Sequence, residues 1–255
     1  MSKGLSMKDW AQALGHNQVK YRRVLSYGEF GSGKTRFGGT FPDPFIIDTD
    51  RGLLSLSTAG LLPPPNRVLE LTKHDSVFKV TKDVILKLRN GSGPFETDPP
   101  QTLIIDSFTS LVDMLLYEAM TSPDNPLVKE KNPDYEKAEY DHWGLLRNRA
   151  QSIWEMLKDL PMHVYVTAGV KVEKSDSTGD FIGEPNLQGS SRGIIGHAFD
   201  EVYYFKPSGS GDKVKYTVYT KNCDFYHAKS RLDLPAKLES PTFDELYKNV
   251  KPDSQ

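Results

Sequence analysis

The 255-residue sequence contains one cysteine, Cys223, so no disulfide can form within the chain. No uninterrupted apolar run approaches the roughly 18 residues a membrane helix needs, and the opening MSKGLSMKDW lacks the apolar centre of a secretory signal. A membrane partner is therefore not expected. The expected setting is cytoplasmic and reducing, where Asn90-Gly91-Ser92 matches a glycosylation pattern without meeting the machinery that reads it. Neither sign of charge dominates: the formal net charge is -2. Such a surface has no general attraction for phosphate polymers, so any nucleic-acid contact must come from local loops. The six histidines lack the paired spacing of a zinc site. No internal repeat is present. What remains, 37% apolar and 26% charged residues, is the composition of a folded globule, and the length suits one large α/β domain.

Residues 1–20 form a polar lead-in with a short helix expected around Trp10 to Leu14, and the domain proper is expected over 21–255. Val24-Leu25-Ser26-Tyr27 reads as a strand running into a glycine-rich segment, with a helix from Thr35 onward. Phe45-Ile46-Ile47 is a second strand, ending in Asp48-Thr49-Asp50, and Val68 to Leu71 a third, after the prolines at 63 to 65. Val77, Val80, Val84, Ile85 and Leu88 recur at helical spacing. Leu103-Ile104-Ile105 is a continuous apolar run ending at Asp106, followed by a helix with Phe108, Leu111, Val112, Leu115, Leu116 and Ala119 on one face. Residues 122 to 139 read as a long excursion. Trp143 to Leu157 marks another helix, ended by Pro161 before the strand His163 to Ala168. Strands alternating with helices predict a mainly parallel sheet with helices on both faces. The tail changes style, and strands at Glu201–Lys206, Val214–Thr220 and Tyr226–Ser230 predict an antiparallel extension at the sheet edge.

The segment Gly28-Glu29-Phe30-Gly31-Ser32-Gly33-Lys34-Thr35, followed by Arg36, fits G-x-x-x-x-G-K-[ST]. Its glycines let successive backbone N–H groups point inward at phosphate oxygens. The pattern predicts an ATP site in which Lys34 reaches the β- and γ-phosphates and the Thr35 hydroxyl ligates Mg2+. A second carboxylate is then required for the metal, and Asp106, at the tip of a buried strand, has the right setting. Its alternative reading is an N-cap of the following helix.

These segments resemble the RecA-like branch of P-loop ATPases, and among them the bacteriophage RecA-like nucleotide-binding proteins associated with single-strand annealing and recombination. The resemblance spans roughly residues 21 to 235. It rests on GEFGSGKT at 28 to 35, FIIDTD at 45 to 50, TLIIDSFTSL at 102 to 111, HVYVTAG at 163 to 169 and HAKSRLDLP at 227 to 235. It implies a RecA-like fold and ATP hydrolysis with Mg2+. In such proteins the strand after the P-loop helix ends in an acid that orients the attacking water, here Asp50, with Asp48 as the fallback. The RecA members carry glutamate there, and aspartate is shorter by about 1.5 Å. Thr167 falls where the family senses the γ-phosphate. Lys229 and Arg231 match the lysine-x-arginine strand that related motors insert into a neighbour's ATP site, which implies a homo-oligomer, ring or filament.

The resemblance further implies single-stranded DNA as partner, with a single-strand-binding protein as a further one. The DNA loops would fall at about 122 to 149 and 169 to 196. The first carries Lys129, Lys131, Arg147 and Arg149, with Tyr135 and Tyr140 as stacking rings; the second carries Lys171, Lys174 and Arg192. Interspersed acids also fit a solvated mixed-charge surface. Two rivals share the P-loop: a switch that uses ATP to control assembly with little hydrolysis, and a small-molecule kinase, whose arginine-rich lid has no counterpart beyond Arg147 and Arg149. Gly189-Ser190-Ser191-Arg192-Gly193 fits a serine-hydrolase pattern but follows no buried strand, and reads as a loop before a helix near Ile194.

Overall fold

Short apolar runs punctuated by glycine, proline and aspartate build the central sheet. The computed structural model describes residues 21–122, 138–176, 179–188, 199–209 and 214–247. The helices expected at Trp10 to Leu14 and near Ile194 lie outside them. Labelled in chain order among the described residues, the first elements are β1 (Arg23–Gly28), α1 (Lys34–Gly38), β2 (Pro44–Asp48), α2 (Leu54–Thr58), β3 (Val68–Glu70), α3 (Val77–Asn90), β4 (Thr102–Asp106) and α4 (Phe108–Thr121). Then follow α5 (Tyr140–Lys158), β5 (His163–Ala168), β6 (Val170–Lys174), β7 (Phe181–Pro185), β8 (Glu201–Ser208), β9 (Lys215–Tyr219), β10 (Lys237–Glu239) and α6 (Phe243–Tyr247).

Eight strands form one sheet in the order β10-β9-β8-β1-β5-β4-β2-β3. The six from β8 to β3 run parallel, and β9 and β10 extend the edge by antiparallel pairing. This is the mainly parallel sheet with an antiparallel edge that the order of strands and helices predicts. Strands buried on both faces need apolar residues at every position, which is why they read as continuous runs. Alternate residues feed two cores. Leu25, Ile47, Ile105 and Val166 pack under α3, α4 and α5, where Trp154 lies against Phe108 at a ring separation of 4.0 Å. Val24, Ile46, Ile104 and Tyr165 pack on the other face against Phe37, Phe41, Leu56 and Tyr247.

Local chemistry sets the element ends. Gly91, at φ 57°, closes α3, with the Gly91 and Ser92 amides donating to the carbonyls of Leu88 and Lys87. That is the Schellman pattern, in which glycine takes the left-handed position without steric cost. Ser107 caps α4 by accepting from the Ser110 amide at 3.3 Å. The cap is therefore Ser107 and not Asp106, which leaves the Asp106 carboxylate for other work.

Three expectations need correction. Tyr226–Ser230 is not a strand. β9 already pairs with β8 from Tyr204 to Ser208, so only the amino end of β8 is accessible, and the segment meets it in a single bridge at Val202 and Lys229. The stretch after β5 is not wholly loop: β6 and β7 form an antiparallel hairpin. The first DNA loop, expected to run to about 149, gives way to helix from Tyr140, where α5 begins and carries Arg147 and Arg149.

Candidate functional site

The carboxyl ends of β1, β2, β4 and β5 meet at one cleft of about 490 Å³, the place where open α/β sheets bind ligands. The glycine-rich segment wraps one wall. Gly31 and Gly33 take φ 71° and 94°, conformations a side chain would strain. At Gly28 a Cβ would come within 2.2 Å of the Phe205 carbonyl on β8, so the loop is held hard against the sheet. Phe30, Ser32, Thr35 and Arg36 line the cleft with these glycines, whereas Glu29 contributes its carbonyl to the loop. The helix that follows is short, five residues over Lys34–Gly38, and its last turn presses Gly38 on the Tyr165 ring.

The Lys34 ammonium folds back on the loop, donating to the carbonyls of Gly28 at 2.9 Å and Glu29 at 2.7 Å and to Ser32 Oγ at 3.2 Å. All three partners are neutral oxygens. Burial lowers the lysine from its usual value to about 8, and Asp106, Asp50 and Glu29 offset part of that shift. Asp106, buried at the tip of β4, accepts a 2.5 Å hydrogen bond from Thr167 on β5 and has the Thr35 hydroxyl beside it. Burial raises its carboxyl, and the two hydroxyls pull it partly back. P-loop lysine, its threonine, the strand-tip acid and Thr167 thus converge.

The two acids after β2 differ in surroundings. Asp48 is 4% exposed, and its Oδ1 accepts from the amides of Asp50 and Arg51 at 3.1 and 2.8 Å, holding a turn in which Arg51 takes φ 55°. Asp50 is exposed on the cleft wall. Asp48 therefore holds the turn that presents Asp50.

Residues 20–232 match the family model described as AAA domain, AAA_24. The chain belongs to this AAA-domain family. No curated protein matches it in sequence. Among solved structures it is similar to a KaiC-like protein from the hyperthermophilic archaeon Pyrococcus horikoshii OT3, at 11% identity over 86% of this chain and 84% of that one, with a TM-score of 0.43.

An AAA-domain protein of this kind uses a nucleotide and, as a rule, Mg2+, and the cleft fits both. Mg2+ takes hard oxygen ligands and keeps several waters, needing one or two protein oxygens besides the phosphates. Thr35 and Asp106 supply such oxygens side by side, and no cluster of three or more His, Cys, Asp or Glu able to hold a metal occurs among the described residues. A second cavity of about 430 Å³ adjoins the first, sharing Gly33, Arg36 and Tyr216 with it. It continues past Phe37 and Thr40 to Pro241 and Thr242, with room for a nucleoside beyond the phosphates.

The other predicted residues of the AAA-domain protein lie elsewhere. Lys229 and Arg231 sit beside Val202 and Glu201 at the amino end of β8, where Glu201 stands opposite Val24. Four residues of β1, roughly 13 Å at the usual strand rise, separate that end from Gly28. Arg231 pairs with Asp200 at 2.8 Å while its side chain stays 66% exposed. Lys171 is paired with its neighbour Glu173, and Lys174 ends β6 in the hairpin. Arg149 is held by Glu118 at 3.3 Å and lies over the Phe78 ring, so it belongs to the α4–α5 packing. Arg192, Lys129, Lys131 and Tyr135 fall outside the described residues, as does the serine-hydrolase match at 189–193.

Sequence reasoning missed three contributors. Thr49 donates to the Ser107 carbonyl at 2.7 Å and accepts the Ser107 amide at 2.8 Å, fixing the peptide that follows Asp106. Thr109 accepts the Gly169 amide and donates to the Asn186 carbonyl, tying the base of the β6–β7 hairpin to α4. Tyr216 of β9 lies against the phosphate loop, where a Cβ on Gly33 would meet its ring at 2.5 Å. No local pattern marks any of them, because each acts across a long stretch of sequence.

Proposed function

We propose that the protein is an ATP-hydrolysing RecA-like protein that assembles with copies of itself and acts on single-stranded DNA in phage-type recombination or annealing. The observation that carries the hydrolytic part is the convergence of Lys34, Thr35, Asp106, Asp50 and Thr167 on one cleft. In this reading the ATP triphosphate takes over the Lys34 ammonium from the loop carbonyls, exchanging neutral acceptors for charged ones. Thr35 and Asp106 would hold Mg2+, which when bound would neutralise phosphate charge. Asp50 orients the attacking water. Thr167, bonded to Asp106, lies where it can sense loss of the γ-phosphate and pass it to the hairpin that begins after Gly169. The adjoining cavity takes the nucleoside, with Tyr216 at the passage between them.

Assembly rests on Lys229 and Arg231. They lie too far from their own phosphate loop to act there, while Arg231 is exposed, as a residue offered to a neighbour must be. A cation delivered beside the transferring phosphoryl group stabilises its charge and is worth large factors in rate.

The test is steady-state ATP hydrolysis by the wild type, Lys34→Ala and Arg231→Ala, with and without single-stranded DNA, across protein concentration. Turnover that rises with both and is lost in Arg231→Ala, with ATP binding retained, supports the reading. Turnover indifferent to DNA and concentration, with Arg231→Ala equal to wild type, leaves a P-loop ATPase without the recombination role. A second reading, ATP-controlled assembly with little hydrolysis, is favoured by the short acid at Asp50. ATP-stimulated annealing without phosphate release would select it.

A further inference from the structure

The ATP reading leaves unused a further cavity, about 540 Å³, at the carboxyl ends of β2 and β3. It meets the phosphate cleft at Ser110, which lines both. Its floor is Leu71, Met114 and the ring of Tyr117. Lys73 holds its ammonium 5.1 Å from the centre of that ring, and His74 approaches it edge-on. On the wall stands Asp113, whose Oδ1 accepts from Gln188 at 2.6 Å. At the rim, Arg51 is paired with Glu70 at 2.6 Å and stays largely exposed.

This lining selects a ligand class. A thioether and a phenol ring forming one surface suit a flat ring that stacks. A carboxylate beside them suits a ring edge bearing N–H donors, and a bare anion would be repelled by it. Cations confined to the rim suit a phosphate attached to that ring. A purely apolar ligand would leave Asp113 and Lys73 unused. We propose that this cavity binds one nucleotide unit of a single strand, the base stacked on Tyr117 with its N–H edge toward Asp113. Lys73 moves from the ring face to the backbone phosphate, a swing its four-carbon stem allows.

The inference rests on the DNA reading above and gives it a location distinct from the β6–β7 hairpin. It also supplies a route to the ATP site. Consecutive residues at the end of β2 face the two cavities, Asp50 the phosphate cleft and Arg51 the base cavity. Thr49 lines the base cavity while bonded to both ends of Ser107, next to Asp106. A base seated there bears directly on the turn that presents the water-orienting acid.

The experiment is fluorescence anisotropy of end-labelled oligothymidylate at low salt. It compares the wild type with Tyr117→Ala, Tyr117→Trp, Lys73→Glu and the hairpin pair Lys171→Ala/Lys174→Ala, with ATP binding measured on each and unlabelled dTMP as competitor. Loss of one stacked base and one phosphate contact predicts that Tyr117→Ala and Lys73→Glu each weaken strand binding roughly tenfold, with ATP affinity kept, while Tyr117→Trp binds like wild type. If Tyr117→Ala also loses ATP binding, the exposed Lys73→Glu decides. Wild-type strand binding that both variants preserve overturns the cavity and leaves the DNA reading standing. No strand binding, with Tyr117-dependent binding of dTMP, keeps the nucleotide cavity and removes the DNA reading. Binding of neither removes both.

Discussion

Lys34 sits in a neutral carbonyl cradle with its ammonium desolvated, and its value near 8 has two opposite consequences. Only the protonated form attracts phosphate, so ATP affinity of the free protein should fall as pH rises through about 8, approaching tenfold per unit. Stability moves the other way. Between the folded value of about 8 and the unfolded 10.5 the unfolded chain binds more protons, so this group's cost of burial is relieved as pH rises through that window. Titrating a fluorescent ATP analogue from pH 7 to 9.5 checks the first, and Lys34→Arg, which stays charged, should flatten the curve if it still binds. Urea midpoints over the same range check the second. Thr49 makes a prediction of another kind. Thr49→Val keeps the shape but orphans the buried amide of Ser107, whose carbonyl keeps the Leu111 amide as donor, at a cost of about 1–3 kcal/mol. Urea unfolding should register that loss, and turnover should drop more than ATP affinity, because the peptide disturbed adjoins Asp106 and not the phosphate loop.

One threonine joins the hairpin to the helix that follows Asp106. Thr109 bonds the Gly169 amide at 3.0 Å and the Asn186 carbonyl at 2.8 Å, and the Asn186 amide closes the hairpin base on the Gly169 carbonyl at 2.8 Å. Farther out, Gly183 of β7 bridges the 225–227 segment, its amide donating to the Phe225 carbonyl at 2.8 Å and its carbonyl accepting the His227 amide at 3.1 Å, while Val172 and Phe181 are exposed. Thr109→Val should therefore raise amide exchange at the hairpin base, at Gly169 and Asn186, more than at Gly183, with little change in the urea midpoint. Protection unchanged across the hairpin would show that its anchorage lies elsewhere. Within the core, Trp154 of α5 packs on Phe108 and Phe199. Trp154→Ala should cost about 3–5 kcal/mol by leaving a cavity under α5.

The molecule as a whole places its phosphate loop and its Lys229–Arg231 pair at opposite ends of the sheet. If the pair serves a neighbour, each ATP site draws on two chains through a head-to-tail contact, which closes into a ring or continues as a filament. Mixing Lys34→Ala with Arg231→Ala then restores turnover that neither variant has alone, because a Lys34→Ala chain still offers its arginine to an intact phosphate loop. Failure of the mixture to exceed the separate activities, under conditions where wild type is active, would place the arginine's contribution within its own chain. No described helix is long and apolar enough to cross a membrane.

The phosphate loop and Asp106 were legible because their signals are local: glycines at fixed spacing before Lys34, and an acid ending a run buried on both faces. Parallel order was legible for the same reason, since strands covered on both sides lose the alternation of a half-exposed sheet. The chain alone could not rank Asp48 against Asp50. Only the fold shows that one carboxylate is consumed by the amides of its own turn while the other faces the cleft. Tyr226–Ser230 has the composition of a strand, but pairing needs an open edge, and β9 holds all of β8 except its start. Thr49, Thr109 and Tyr216 gain their meaning from partners far away in the chain. Sequence carries what one residue owes to its neighbours and to burial; which distant groups become neighbours is decided by how the strands are ordered in the sheet.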